Sequence, residues 1–234
     1  MSIKDNIARV QECVAAAALR SGRNPEEVTL MAVSKTFPPE QIRQAYAAGL
    51  RVFGENRVQE FAEKIAALRD LHDAEWHMIG HLQTNKVTQA AELFSHIDSV
   101  DSVRLARKLN FAASDLGKKL SVLIEINIGG EAAKSGVAPA SVELENLLKA
   151  APDLPFLDLR GLMTVPPYGD NSEQSRPYFH KMRELFSQIA SRKLPAIRME
   201  VLSMGMSHDY ELAIEEGSTC VRVGTAIFGA RESR

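Results

Sequence analysis

Three short stretches of this chain carry residue types whose chemistry exceeds what packing asks of them. TLMAVSKTFPPE, residues 29–40, reads as a buried β-strand up to Lys35 and then stops at two prolines. SMGMSHDYELAI, residues 203–214, joins Gly205 to Ser207, and VGTAIFGA, residues 223–230, joins Gly224 to Thr225. A glycine lets backbone approach a ligand closely, a hydroxyl can cap, and the first amides of a helix attract an anion. Two such turns side by side form a phosphate cradle, although each alone also describes an ordinary helix cap. Arg222 directly precedes the second turn in VRVG. A lysine confined near a second cation loses its proton more readily, which makes it a nucleophile for carbonyls and a Schiff-base former. The structural alternatives are that Lys35 snorkels outward or pairs with Glu55, and that Arg222 pairs with Glu200 or Asp209.

The elements that must position these residues alternate along the chain. Eight β-branched or apolar runs stand out: VTLMAVSK, RVFGE, WHMIG, FSHIDSV, LSVLIEIN, LDLRGLM, RMEVLSM and TCVRVGT. Between them lie helical patterns. PPEQIRQAYAAG closes on a glycine, NRVQEFAEKIAALRD opens on Asn56, DSVRLARKLNFAASDLG runs from Asp101 to Gly117, and SVELENLLKA and SEQSRPYFHKMRELFSQIA follow. With an extra helix at the N-terminus, this predicts one α/β domain over residues 1–234, a single (β/α)8 TIM barrel. An open doubly wound sheet fits less well, because no G-x-G-x-x-G follows the first strand. Strand parity predicts which side chains enter the barrel. Thr29, Met31, Val33 and Lys35 share one face of the first strand, and Cys220, Arg222 and Gly224 share one face of the last. Outward faces must pack on helices, so Lys35 and Arg222 are expected inside, as neighbours at the mouth. Barrel sites lie at the C-terminal strand ends, with phosphate sites often after the seventh and eighth strands, where both glycine–hydroxyl turns fall.

Composition excludes several function classes. Hydrophobic residues make up 45% and charged residues 25%, and the net charge of −2 comes without a long run of one sign. Such a surface predicts no general affinity for nucleic acid or an anionic membrane. MSIKDNIARVQECVAAAALRSG is helical but interrupted by charges, so it is no signal peptide, and no run is long and apolar enough for a membrane span. Cys13 and Cys220 lie in no metal-ligand spacing and suit buried thiols in a reducing cytoplasm.

A nucleophilic lysine beside a phosphate cradle fits a ligand that carries both an aldehyde and a phosphate, which is pyridoxal 5′-phosphate (PLP). AVSKT, FGEN followed by VQE, WHMIGHLQTNK, EAAKSG, RGLMT, LSMGMSHDYELAI and VRVGTAIFG resemble, in order, the blocks of the YggS/PROSC-type pyridoxal phosphate homeostasis proteins. The resemblance covers essentially the whole chain. It implies a barrel like the N-terminal domain of alanine racemase, a fold type III PLP protein, with Lys35 carrying the internal aldimine. It also implies Asn56 near the cofactor ring, Ser207, Gly224 and Thr225 on the phosphate, and Arg222 facing the pyridine nitrogen. Asn56 could equally cap the next helix. Arg57 stands where that family's pattern suggests tyrosine, outside the implied contacts. A guanidinium at the pyridine nitrogen disfavours its protonation and makes the ring a weak electron sink.

Other residues carry less. His77 and His81 lack an H-E-x-x-H pattern and read as hydrogen-bonded structural histidines; no metal site is expected. Lys86 suits a solvated or anion-binding surface role. Trp76, Met78, Met163, Met204 and Met206 read as packing residues, with Met204 or Met206 placed to touch a cofactor. The charges of NRVQEFAEKIAALRD read as one solvated helix face. The expected function is PLP homeostasis by storage, protection or delivery, with PLP and PLP-accepting apo-enzymes as partners and a monomeric, cytoplasmic protein. The chain stops about ten residues after the last strand, at Arg234, which leaves no second domain to close the site and argues against turnover. The alternatives are a PLP-dependent amino acid racemase, with Lys35 on one face and Tyr210 or His208 as the other proton donor, and an aldolase using Lys35 on a phosphorylated sugar.

Overall fold

The computed structural model describes residues 2–131, 133–169 and 171–230. Ala132 of the EAAKSG block, Asp170 and residues 231–234, including the Arg234 of the predicted domain end, lie outside the described residues. Strands β1 (Thr29–Val33), β2 (Val52–Glu55), β3 (Glu75–Met78), β4 (His96–Val100), β5 (Leu120–Ile126), β6 (Leu157–Thr164), β7 (Ile197–Met206) and β8 (Cys220–Val223) are all parallel and close in chain order into a barrel. β8 returns to β1 with Met31 beside Arg222. Each of the eight runs read from the sequence is one of these strands.

The helices are α1 (Ile3–Arg20), α2 (Pro39–Ala47), α3 (Val58–Lys64), α4 (Val87–Leu93), α5 (Val103–Asp115), α6 (Val142–Ala150), α7 (Arg176–Ser191), α8 (Tyr210–Glu215) and α9 (Thr225–Phe228). Helix α1 starts at a capping box in which the Ser2 hydroxyl accepts from the Asp5 amide and the Asp5 carboxylate accepts from the Ser2 amide. Its buried stripe of Ile7, Val10, Val14 and Ala17 lies on α8 and α9, so the extra helix braces the β7–β8 side of the barrel. Two helix starts differ from expectation. Ser102 rather than Asp101 caps α5, by accepting from the Leu105 amide, and α3 begins after Arg57.

Parity holds where it can be read. Ala32, Phe53, Leu202, Val221 and Val223 belong to the apolar layer between strands and helices, whereas Met31, Val33, Leu123, Met163 and Cys220 are buried apart from it, inside the barrel. On β5, Val122 and Ile124 line a small void with Ala106 and Leu147 of the helices, so Leu123 and Glu125 face inward. Phe53, Trp76, Phe61 and Phe94 stack in sequence across the outer layer at centroid spacings of 4.8–5.1 Å, fixing α3 and α4 against β2 and β3.

Candidate functional site

Strand β1 ends at Val33, and Lys35 lies in the turn that follows. The Phe37 amide donates to the Ser34 carbonyl at 3.1 Å, and Thr36 has φ 69°. A β-branched residue in that left-handed region costs roughly 1–2 kcal/mol, so the turn must be held by its surroundings. The hold comes from behind the barrel wall. The Thr36 amide donates to Glu60 Oε1 at 2.6 Å, the Ser34 hydroxyl donates to Glu55 Oε1 at 2.7 Å, and Lys64 Nζ donates to the Ser34 carbonyl at 3.2 Å. Lys64 also bridges Glu60 at 2.5 Å and Glu55 at 3.3 Å. Glu55 is fully buried, and burial pushes its carboxyl up against the opposing pull of Lys64 and Ser34. For Glu60, burial would raise the carboxyl, but the Lys64 bond and the Thr36 amide hold it below the usual range. The expected solvated helix face is therefore corrected: Lys64 is buried, because Glu60 and Lys64, four apart on α3, point at the strand ends.

Asn56 follows β2. The alternative that it caps α3 fails, because Arg57 holds the cap position, exposed and without a side-chain bond. Asn56 Oδ1 is instead buried with no hydrogen-bond partner among the described residues, an exception that calls for a ligand or water. Gly80, two residues after β3, presses on it; a Cβ there would stand 2.4 Å from the Asn56 carbonyl oxygen.

The two glycine–hydroxyl turns meet. The Ser207 hydroxyl accepts from the Gly224 amide at 3.1 Å and from the Ala226 amide at 3.5 Å, so it lies where the first amides of α9 converge. Ser207 does not cap the helix after β7, as first expected. Asp209 stands before α8, its carboxylate taken by the Met206 amide at 2.7 Å and the Ser175 hydroxyl at 3.0 Å, which leaves Ser207 free to turn toward β8. Gly205 makes the turn possible, since its φ is 92° and a Cβ would meet that of Ala213 at 2.5 Å. Thr225, the first residue of α9, is exposed at the rim.

Arg222 projects inward and is buried. It donates to the Ser203 hydroxyl at 2.7 Å and to the Thr164 carbonyl at 2.6 Å, and burial lowers its basicity. Neither alternative partner holds it, for Glu200 pairs with Arg160 at 2.8 Å and Asp209 is occupied as above. Lys35 and Arg222 do not lie side by side. The register sets Arg222 beside Met31, four residues before Lys35, so Arg222 starts deeper in the barrel than Lys35 does.

Glu125 is a site residue without a sequence motif. It faces inward from β5, opposite β1 across the closed ring, with Oε1 accepting from the Ser135 hydroxyl at 2.9 Å and Oε2 buried without a partner. Burial pushes its carboxyl up. A lone acid in the LSVLIEIN run was the available signal; its neighbours were not. The expected proton donors are placed elsewhere. Tyr210 is buried on α8 beside Cys13 of α1, outside the barrel, and His208 is exposed on the rim with Nε2 3.2 Å from Asp209. Met204 is in the outer layer, while Met206 is half-buried at the end of β7.

The N-terminal ends of the strands hold a second polar cluster. His77 Nδ1 meets Asp98 at 3.0 Å, and the His77 and His96 rings stack 4.0 Å apart and 10° from parallel. Burial lowers the basicity of His77, but Asp98 and then Glu75 outweigh it and push the ring up to about 9. Burial, then the charge on His77, pushes His96 down to about 4. Glu75 lies 4.0 Å from His77 Nε2 and 3.9 Å from His96 Nε2, a group of metal-ligand types. Stacked parallel rings send their in-plane lone pairs along parallel lines, so this arrangement does not converge on an ion. His81 is bonded to Asp101 at 3.2 Å, at a polar cleft with Gln83, Asn85 and Arg104. Lys86 ends the short turn Thr84–Lys86, half-buried.

Comparison with known proteins gives a consistent pattern. The family described as alanine racemase, N-terminal domain, matches residues 2–232. Proteins named pyridoxal phosphate homeostasis protein from Aquifex aeolicus and Escherichia coli K12 are each 46% identical, covering 99% and 98% of this chain and 100% and 97% of their own. The structure of PipY from Synechococcus elongatus with PLP bound is 39% identical, with a TM-score of 0.83 over 97% of this chain and 100% of that one. An alanine racemase from Clostridium difficile, 17% identical with a TM-score of 0.72, shares the fold over 58% of its length.

Proposed function

The chain belongs to the family of the alanine racemase N-terminal domain, and from that premise we propose that it binds pyridoxal 5′-phosphate through Lys35. Its role on this reading is homeostasis of the cofactor by storage, protection or delivery, without turnover of a substrate of its own. The full-length similarity to proteins named for that role, and to PipY with PLP bound, supports it.

The observation that carries the site assignment is the set of polar groups at one barrel end that the fold leaves for a ligand. Asn56 Oδ1 is buried without a partner, and the Ser207 hydroxyl gathers the Gly224 and Ala226 amides. The residues present fit the cofactor. Ser207, Gly224 and Thr225 would bind the phosphate, Asn56 would orient the ring edge, and Arg222 would face the ring nitrogen. Among the described residues its hydrogen-bond partners are Ser203 and Thr164, both neutral, so Arg222 would turn its charge toward that nitrogen and disfavour its protonation. When bound, the cofactor supplies an aldehyde that condenses with an amine, with loss of water, in a linkage that a second amine displaces. Lys35 supplies the first amine.

The racemase alternative loses Tyr210 as its second proton donor, since that residue faces α1. The proposal extends to a monomer that hands PLP to apo-enzymes in the cytoplasm. Free thiols at Cys13 and Cys220 suit a reducing compartment, and no helix among the described residues is long and apolar enough to cross a membrane. The test is a visible spectrum before and after borohydride, with peptide mass mapping, on the wild type and Lys35→Ala. A yellow protein with a reduced adduct on Lys35, absent in the variant, is expected; wild-type protein that takes up no PLP in excess overturns the assignment. Incubation with single-enantiomer amino acids then separates carrier from racemase.

A further inference from the structure

We propose that Lys64, with Glu60 and Glu55, is a positioning device for Lys35: it holds the strained turn that aims the Lys35 side chain, from outside the barrel and without touching the ligand. This rests on the PLP reading for its consequence but not for its geometry. The residues on both sides of Lys35 are pinned by charged side chains of other elements. Ser34 is held through its carbonyl by Lys64 at 3.2 Å and through its hydroxyl by Glu55 at 2.7 Å, and Thr36 is held through its amide by Glu60 at 2.6 Å. Lys64 ties the two carboxylates together, at 2.5 Å to Glu60 and 3.3 Å to Glu55. With residues 34 and 36 fixed, the Cα–Cβ direction of Lys35 is fixed too.

The arrangement asks more of the chain than a stable strand end needs. Thr36 sits at φ 69°, where a non-glycine residue persists only if its surroundings over-determine it. A buried ammonium with two carboxylates is a weak source of stability, since desolvation consumes most of the attraction, but it has a definite direction. Glu55 comes from the end of β2 and Glu60 and Lys64 from α3, so the device ties the nucleophile's turn to the two elements that flank the Asn56 loop. A condensing amine must be held close to its angle of attack, and small misplacements are costly in rate.

The experiment compares wild type with Lys64→Met, Glu60→Gln, Lys64→Arg and the double variant Lys64→Met/Glu55→Gln, which removes both charges of the buried pair should Lys64→Met fold poorly. Three readouts are taken: amide exchange at Thr36 in the protein without PLP, affinity for 4′-deoxypyridoxine 5′-phosphate, which lacks the aldehyde, and the rate of borohydride-fixable adduct formation at saturating PLP. Lys64→Met and Glu60→Gln are expected to speed Thr36 exchange at least 10-fold and slow adduct formation about 10-fold, while affinity for the deoxy analogue changes less than 2-fold. Lys64→Arg should recover most of the rate, and Thr36→Gly in the Lys64→Met background should recover part of it, because glycine adopts that φ unaided. Folded variants with wild-type Thr36 exchange and wild-type adduct rate overturn the proposal. Loss of analogue affinity in step with the adduct rate also overturns it, since that would mark a general structural role. If wild-type protein forms no adduct on Lys35, the PLP reading fails by itself, and Thr36 exchange still decides whether Lys64 holds the turn.

Discussion

The two ends of the barrel are both lined with charge, yet they hold it differently. At the N-terminal end, charge meets charge: His77 rests on Asp98, Glu75 faces both stacked histidines, and Arg160 is bound to Glu200. At the C-terminal end, the direct hydrogen-bond partners are neutral dipoles, and the carboxylates of Asp98, Glu125 and Asp209 act on Arg222 only from a distance. Arg222 is held by a hydroxyl and a carbonyl, Glu125 by a single hydroxyl, and Asn56 Oδ1 by nothing. A charge neutralised by its partner has little left for a ligand, whereas one supported by dipoles keeps most of its field. On the proposed function the first end is a plug and the second the site, and substitutions can break that distinction.

The largest effect is expected at the plug. Asp98→Asn removes the charge that keeps buried His77 protonated, so the ring turns neutral and the fold should lose about 3 kcal/mol at pH 7, read as a urea midpoint, with PLP affinity unchanged. A parallel loss of PLP binding would mean that the two ends are one site. The plug should also shape the pH dependence. His77, raised to about 9, contributes stability that is complete below its ordinary value of 6.5 and is lost as pH rises through 9. His96, lowered to about 4, contributes stability that is complete above 6.5 and is lost as pH falls through 4. A thermal melting series should therefore peak near pH 6.5, and Asp98→Asn should flatten its alkaline limb.

At the mouth the order reverses. Arg222→Met should weaken PLP binding by about 2 kcal/mol, roughly 30-fold in a spectroscopic titration, while shifting the urea midpoint far less than Asp98→Asn does. Ser207→Ala removes one hydroxyl from the cradle and should weaken binding by about 1 kcal/mol. The smallest effect is expected for Glu125→Gln. The carboxyl is raised by burial, so its favourable contribution is present at low pH and lost as pH rises through its folded value. The variant should gain slightly in stability over wild type at pH 7, and the difference should vanish toward pH 4.

How much of this was legible differs residue by residue. The turn carrying Lys35, the Gly205–Ser207 pair and the inward face of Arg222 could be read, because strand periodicity and turn chemistry act over a few residues. The sequence suggests Ser207 as a cap for its own helix, since a hydroxyl before a helix satisfies amides there in most chains; it meets the amides of a turn after a different strand. Lys64 looked like a surface residue because i,i+4 acid–base pairs usually line a solvated face, and only the approach of α3 to the ends of β1 and β2 buries it.

By itself the sequence determined eight strands, their order, the faces that the first and last of them turn inward and the chemistry of the residues at those ends. These follow from patterns of period two and from glycines and hydroxyls a few positions apart. Only the tertiary structure decided that Arg222 lies below Lys35 rather than beside it, that His77 stacks on His96, and that Glu125 and Asn56 keep unpartnered oxygens. Each depends on the register between strands distant in the chain, where a shift of one residue would send every side chain to the opposite face.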